Sequence, residues 1–281
     1  MNCGKQWAIA LAAASVLAVA SASRAANVVF KAGFEDDSAE NFVTSFAGGM
    51  IAPSDYDFSV GKAALKCTVE TVTDVERYIK YTEADTRIGF HYKACGVRTI
   101  RVLGGGIEDG ENLYFTLTNV PQNVWAWAVV KVADFRNIIP RNGGPACPTG
   151  DKTGKGKTFR NVVFHLMDPT KEVEQPVVYL DNIVLFSGAD TNVPSLTGKA
   201  VMRSDAQGRL LSWPDAKDDI GVACYRVIRS DTPDFTAGVV TNTVVVPEFP
   251  LDGKKAWYRV VAVDYAGNAN QPGEPVAVEA K

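Results

Sequence analysis

The chain of 281 residues is 46% hydrophobic, 22% charged and 10% aromatic, which supplies enough core for two domains and excludes disorder and collagen-like repeats. Its formal net charge of −3 excludes a strongly basic nucleic-acid binder. With only two His, a zinc site built on imidazole is also excluded.

Lys5 is followed by an apolar run from Trp7 to Ala20 that closes on Ala20-Ser21-Ala22, with Ser23-Arg24-Ala25 as a second small-residue site. A charged start, a short apolar stretch and such a site form a secretory signal peptide, assigned to residues 1–25 with cleavage between Ala22 and Ala26. The run is shorter than the roughly 20 apolar residues of a spanning helix, and no later segment is longer, so no membrane span is expected. The mature protein is expected to be secreted, in a periplasmic or extracellular compartment where disulfides form. Cys67 alternates with Leu65 and Val69 and is read as core. Cys95 at a strand end and Cys147 in the loop Gly144-Pro145-Ala146-Cys147-Pro148 are the best disulfide pair, although spacing alone fixes no connectivity. Cys224 has no evident partner.

Helical periodicity is nearly absent after the leader. Short alternating runs recur instead, among them Phe90-His91-Tyr92-Lys93-Ala94, Thr99-Ile100-Arg101-Val102-Leu103, Leu113-Tyr114-Phe115-Thr116-Leu117, Val162-Val163-Phe164-His165-Leu166 and Val178-Tyr179-Leu180-Asp181-Asn182-Ile183. Gly, Asp, Asn and Pro separate them, as in an all-β chain of sandwich type. A linker-like stretch, Ser187-Gly188-Ala189-Asp190-Thr191-Asn192-Val193-Pro194, divides a block at 27–188 from one at 194–281.

The second block carries Leu210-Leu211-Ser212-Trp213, Asp218-Asp219-Ile220-Gly221-Val222-Ala223-Cys224-Tyr225 and Trp257-Tyr258-Arg259-Val260-Val261-Ala262-Val263-Asp264-Tyr265-Ala266-Gly267-Asn268. It resembles a fibronectin type III domain, an immunoglobulin-like β-sandwich. Trp213 and Tyr225 are expected as inward anchors, Tyr258 as a corner tyrosine tied to backbone, and Gly267-Asn268 as a turn. The first block resembles the galactose-binding-like jelly roll of many carbohydrate-binding modules. Ala32-Gly33-Phe34-Glu35-Asp36-Asp37, Gly61-Lys62-Ala63-Ala64-Leu65-Lys66, Trp125 before a strand running into Ala133-Asp134-Phe135, and the closing Val178–Ile183 run carry that likeness. It implies a structural Ca2+ held by the Glu35 and Asp181 side chains and by carbonyls around Gly61 and Lys62, with Asp36 and Asp37 as substitutes for the side-chain ligands.

A sugar site needs aromatic platforms and planar hydrogen-bonding groups on an exposed sheet face. With Phe90/Tyr92, Ile100/Val102 and Phe115/Leu117 inside, alternation exposes His91, Arg101, Tyr114 and His165, and Trp127 if Val130 and Val132 are buried. These five are the candidate ligand-binding residues, with Tyr114, Trp127 and Arg101 foremost. A jelly roll deals its strands into two sheets, so the five are not all expected on one face. Lys93, Arg101, Lys131 and the two His favour an anionic glycan.

Three other motifs carry no chemistry. Asp151-Lys152-Thr153-Gly154-Lys155-Gly156-Lys157-Thr158 lacks the leading Gly and the following helix of a phosphate-binding loop. Gly104-Gly105-Gly106 reads as a turn, and Glu108, Asp109 and Glu111 lack EF-hand spacing. His91 and Tyr92 are adjacent in a strand and point to opposite faces, so they form no acid–base pair, and no carboxylate pair, nucleophile elbow or zinc helix is found. The sequence therefore reads as a secreted, non-catalytic glycan-binding protein: a jelly roll followed by a fibronectin type III spacer, with polysaccharide as its partner. The alternatives are an extracellular structural or adhesion protein working through protein contacts in an assembly, and a small polysaccharide lyase.

Overall fold

The computed structural model describes residues 25–36, 39–44, 49–54, 57–69, 73–82, 84–105, 113–136, 155–205 and 208–280. Residues 1–24 of the expected leader at 1–25, the acidic residues at 108–111, Cys147 and the start of the basic loop at 151–154 lie outside the described residues. Among the described residues no helix is long and apolar enough to cross a membrane.

Among the described residues eleven strands build the first unit: β1 (Asn27–Ala32), β2 (Val43–Thr44), β3 (Gly49–Ser54), β4 (Ala64–Val69), β5 (Thr73–Thr82), β6 (Arg87–Cys95), β7 (Val97–Gly105), β8 (Leu113–Thr118), β9 (Trp125–Lys131), β10 (Thr158–Pro169) and β11 (Val177–Ser187). One sheet runs β3-β4-β11-β6-β9, with β1 also paired to β11, and the other runs β2-β5-β10-β7-β8. Successive strands such as β6 and β7, or β10 and β11, fall in opposite sheets, the crossing pattern of a jelly roll. Alternation drives the packing. Ile88, Phe90, Tyr92 and Ala94 of β6 face Ile100, Val102, Val162, Phe164 and Leu166 of the other sheet in one buried core. Phe90 meets Phe164 edge-on across it, with ring centroids 4.9 Å apart. Each such buried ring contributes about 1.5–3 kcal/mol.

β11 departs from simple alternation, and the departure joins the two units. Val178 and Leu180 point into the core, but the register shifts between Asp181 and Val184, where Asn182 takes a left-handed φ of 46°. Asn tolerates that conformation better than most residues. After the bulge Ile183 and Leu185 face inward while Val184 and Phe186 face outward. The unbroken apolar run Ile183-Val184-Leu185-Phe186 thus marks a strand buried on both faces.

The second unit is also a two-sheet sandwich. β12 (Val201–Asp205), β13 (Gly208–Ser212) and β16 (Glu248–Pro250) form one sheet; β15 (Val240–Val244), β14 (Val222–Ser230), β17 (Ala256–Asp264) and β18 (Val276–Val278) form the other. Trp213 and Tyr225 pack edge-to-face at 5.3 Å in its core. The tyrosine tied to backbone is not the expected Tyr258. Tyr225 accepts a hydrogen bond from the Ala216 N–H at 3.0 Å, while Tyr258 is buried beside Arg229. Tyr225 stands next to the β13–β14 loop and reaches its backbone, which Tyr258 in β17 does not.

Val184 and Phe186 pack outward against Ile220, Ala223 and Tyr265. Tyr265 lies over Gly89, where a Cβ would stand 2.6 Å from the ring, and its hydroxyl donates to the Asn182 carbonyl at 2.9 Å. Gly89→Ala is therefore expected to push the units apart and cost about 1–3 kcal/mol, read as a lower urea midpoint. An unchanged midpoint would show that the contact does not bear on stability. Cys67, Cys95 and Cys224 carry free thiols among the described residues, and Cys147, the expected partner of Cys95, lies outside them. Cys95 sits half-buried opposite Val177 at the end of β6.

Candidate functional site

The five residues expected to bind ligand divide between the sheets. Registry across β10, β7 and β8 sets His165, Arg101 and Thr116 in one row and Val163, Leu103 and Tyr114 in the next. All six share the face turned away from the core, because their neighbours Val162, Phe164, Ile100, Val102, Phe115 and Leu117 pack inward. β5 extends the same face. Glu76 is opposite Val163 and Tyr78 opposite Asn161. Asn161 donates to the Glu76 carboxylate at 3.1 Å and accepts from the Gly105 N–H at 2.7 Å, so its amide is fixed. Tyr78 is 71% exposed.

Nε and Nη1 of Arg101 are buried without a hydrogen-bond partner, and so is Oγ1 of Thr116, the residue facing it. The guanidinium carbon lies 5.9 Å from the Tyr114 ring centroid. A buried donor left unmade costs about 1–3 kcal/mol. The chemistry offered is a cation, a hydroxyl, an imidazole and an aromatic face within two strand spacings. Sequence reasoning found Arg101, Tyr114 and His165 but not Glu76, Tyr78 or Asn161. The signal for β5 is the alternation of Glu76, Tyr78 and Lys80 with Val75 and Ile79. Arg77 interrupts its apolar side, where its guanidinium lies 4.3 Å from the Phe30 ring centroid.

Trp127 and His91 lie on the other sheet, where they are registered neighbours. Trp127 is 38% exposed, as expected from Val130 pointing inward, but it stands apart from Arg101 and Tyr114. His91 corrects the expectation outright. Although it points away from the jelly-roll core, the second unit covers it completely. Its Nδ1 is 2.7 Å from the Ser59 hydroxyl and its Nε2 is 3.0 Å from the Ala223 carbonyl.

Of the expected calcium ligands, Asp181 is covered in the same way while Glu35 stays exposed. Asp181 is buried, and its two oxygens accept from the Ser59 N–H and hydroxyl at 2.9 and 2.7 Å, the Val60 N–H at 3.0 Å and the Asn182 N–H at 2.6 Å. Glu35 accepts from the Lys62 N–H at 2.8 Å, and the Gly61 N–H donates to Asp215 at 3.3 Å. Peptide N–H groups, not carbonyls, therefore face these carboxylates. Gly61 takes φ 72° with the Glu35 carboxylate where a Cβ would be. Glu35, Gly61 and Asp181 do line one cavity of about 450 Å³ between the units, but the donor set does not fit calcium, which takes oxygen ligands. Oxygens of Asp190, Asp218 and Asp219 come within 4.8 Å of one another at the same junction, a proximity the sequence does not show across 28 residues.

Ser59, His91 and Asp181 resemble a hydrolytic triad only in composition. Ser59 is the middle member, bonded to both partners and buried, so its oxygen is unavailable for attack. Burial raises Asp181 to about 7 despite its hydrogen bonds, and lowers His91 to about 4. Burial also raises Asp218 to about 7, helped by Asp264, Asp219 and Asp190. The two raised carboxylates favour folding below their unfolded range and lose that contribution as pH rises through about 7. His91 acts oppositely, its contribution being lost as pH falls from about 6.5 towards 4. Between these limits the folded chain holds about two protons on these groups and the unfolded chain about one. The thermal midpoint is therefore expected to rise from about pH 7.5 to about pH 5.5; a fall over that interval would contradict the assignment.

Comparison with protein-family profiles finds no match, and neither does comparison with curated protein sequences. Solved structures show distant likeness. A family 11 carbohydrate-binding module of a cellulosomal cellulase from Clostridium thermocellum is 13% identical with a TM-score of 0.40, covering 57% of this chain and 96% of that one. The glycoside hydrolase domain of Endo-D from Streptococcus pneumoniae R6 is 13% identical with a TM-score of 0.39, over 85% of this chain and 37% of that one. A β-1,2-glucanase from Parabacteroides distasonis is 17% identical with a TM-score of 0.40, over 91% of this chain and 39% of that one. Carbohydrate-binding modules of β-sandwich type are thus among the structures this chain is similar to.

Proposed function

We propose that this protein binds a polysaccharide, without acting on it chemically, on the outer face of the β2-β5-β10-β7-β8 sheet. The observation that carries the reading is the row His165–Arg101–Thr116, where two Arg101 nitrogens and the Thr116 hydroxyl are buried without partners beside Tyr114. Sugar hydroxyls or a carboxylate pair with the Arg101 guanidinium on this face, and a pyranose face stacks on the tyrosine. Arg101 makes an acidic glycan the preferred ligand, since a guanidinium pairs bidentately with carboxylate or sulfate. The buried order of Ser59, His91 and Asp181 supports a non-catalytic role. The second sandwich then serves as a fibronectin type III-like support, and the leader-like first 25 residues support an extracellular site of action.

Affinity electrophoresis through gels containing polygalacturonate, alginate, chondroitin sulfate, mixed-linkage glucan or galactan tests the reading. Retardation in at least one acidic polymer, with no new reducing ends or ultraviolet-absorbing products, is expected. Free migration in every gel would overturn glycan binding, and product release would replace it with a lyase or hydrolase.

A further inference from the structure

The seam between the units carries a second groove, of about 300 Å³, that the face described above does not use. Asp57, Phe58, Ser59 and Gly61 line it from the jelly roll, and Asp215, Val246, Pro247 and Glu248 line it from the second sandwich. Its volume suits one sugar unit. Phe58 is 37% exposed and, with Pro247, gives it apolar walls.

The polar groups are acceptors. Asp57 is held rigidly, taking the Lys93 ammonium at 2.6 Å on one oxygen and the Trp125 indole N–H at 3.0 Å on the other. Trp125 in turn leans on Tyr179, with ring centroids 6.4 Å apart. Asp215 accepts the Gly61 N–H with one oxygen, while its other oxygen, Oδ1, is buried without a partner. Glu248 stands exposed at the rim. None of the described lining residues is basic, so the groove repels an anion, the opposite of the Arg101 face.

We propose that this seam groove is a second saccharide subsite, taking a neutral, hydroxyl-rich sugar whose hydroxyls donate to Asp215, Glu248 and Asp57 while its apolar face lies on Phe58 and Pro247. Carboxylates fixed by neighbouring groups are strong hydroxyl acceptors, and apolar walls with a few convergent polar groups are the usual make-up of a small-ligand site at a domain junction. Because each unit supplies part of the lining, the subsite exists only while they are docked. It does not rest on the Arg101 face, and either can fail alone.

The Trp125 indole is a built-in reporter, since its N–H is bonded to Asp57. The full chain, labelled with ¹⁵N in the indoles, is titrated with the methyl β-glycosides of glucose, galactose, mannose and xylose, and with methyl glucuronide as the anionic control. Trp125→Phe identifies the resonance. A saturable shift of that resonance is expected with at least one neutral glycoside and not with the glucuronide. Glu248→Ala and Asp215→Asn are each expected to weaken it about tenfold, while Arg101→Gln leaves it unchanged. No shift with any neutral glycoside would overturn the proposal. So would a shift that survives both Glu248→Ala and Asp215→Asn in full, because the acceptors of the second unit would then contribute nothing.

Discussion

Asp181→Ala is expected to lower the unfolding free energy by about 3–5 kcal/mol, the largest stability effect of any single change considered for this chain. One buried carboxylate accepts the N–H groups of Ser59, Val60 and Asn182 and the Ser59 hydroxyl. Removing it leaves those donors in a dry environment, beside a His91 that also relies on Ser59. The damage spreads to the seam. Asn182 shares the bulge and donates to the Val222 carbonyl at 2.9 Å, while its own carbonyl accepts from Tyr265. Asp181→Asn should recover only part of the loss, since an amide nitrogen turned towards Ser59 and Val60 would face donors. Urea unfolding followed by tryptophan emission measures both variants. A loss under about 1 kcal/mol for Asp181→Ala would mean that the network is not a support of the junction.

The second large effect separates function from stability. Arg101→Met is expected to weaken glycan binding at least tenfold, while the melting midpoint stays the same or rises. A guanidinium with two buried, unpartnered nitrogens is a cost to the free protein, and an apolar chain of similar length removes that cost while still packing against Tyr114. Residues kept for binding at the expense of stability behave in this way. A fall in the midpoint by several degrees would instead make Arg101 a structural residue. Affinity for an acidic polymer should also weaken with added salt in the wild type, as screening of an ion pair requires.

How much of this is legible in the sequence depends on the length scale of the cause. The inward residues of β6, β7 and β10 follow from strict alternation, and so does the outward turn of Arg101, Tyr114 and His165. The partition of those residues between sheets does not, because it depends on which strands pair across long connections. Trp127 and Arg101 both point away from the jelly-roll core yet belong to different sheets. His91 shows a further limit. Its position in the alternation is outward, but a residue outside one sandwich can be the inside of a two-unit assembly, and the cover comes from Ala223 and Tyr265, more than a hundred residues away. Asp181 illustrates the same point. Its sequence neighbours suggest a strand-end ligand, while the bulge at Asn182 turns it into the acceptor for a distant loop. The Ile183–Phe186 run carried the hint, being apolar at every position where an exposed face would have alternated.

The central claim is that the Arg101–Tyr114 face is the glycan-binding surface. Titration calorimetry of the acidic polysaccharide that most retards the wild type, repeated with the Arg101→Met/Tyr114→Ala double variant and with Trp127→Ala, tests it most directly. Lost stacking and a lost charge-assisted contact together predict at least a hundredfold weakening in the double variant, about 2.8 kcal/mol or more, and less than about twofold change for Trp127→Ala. Equal affinity in the wild type and a folded double variant would contradict the account.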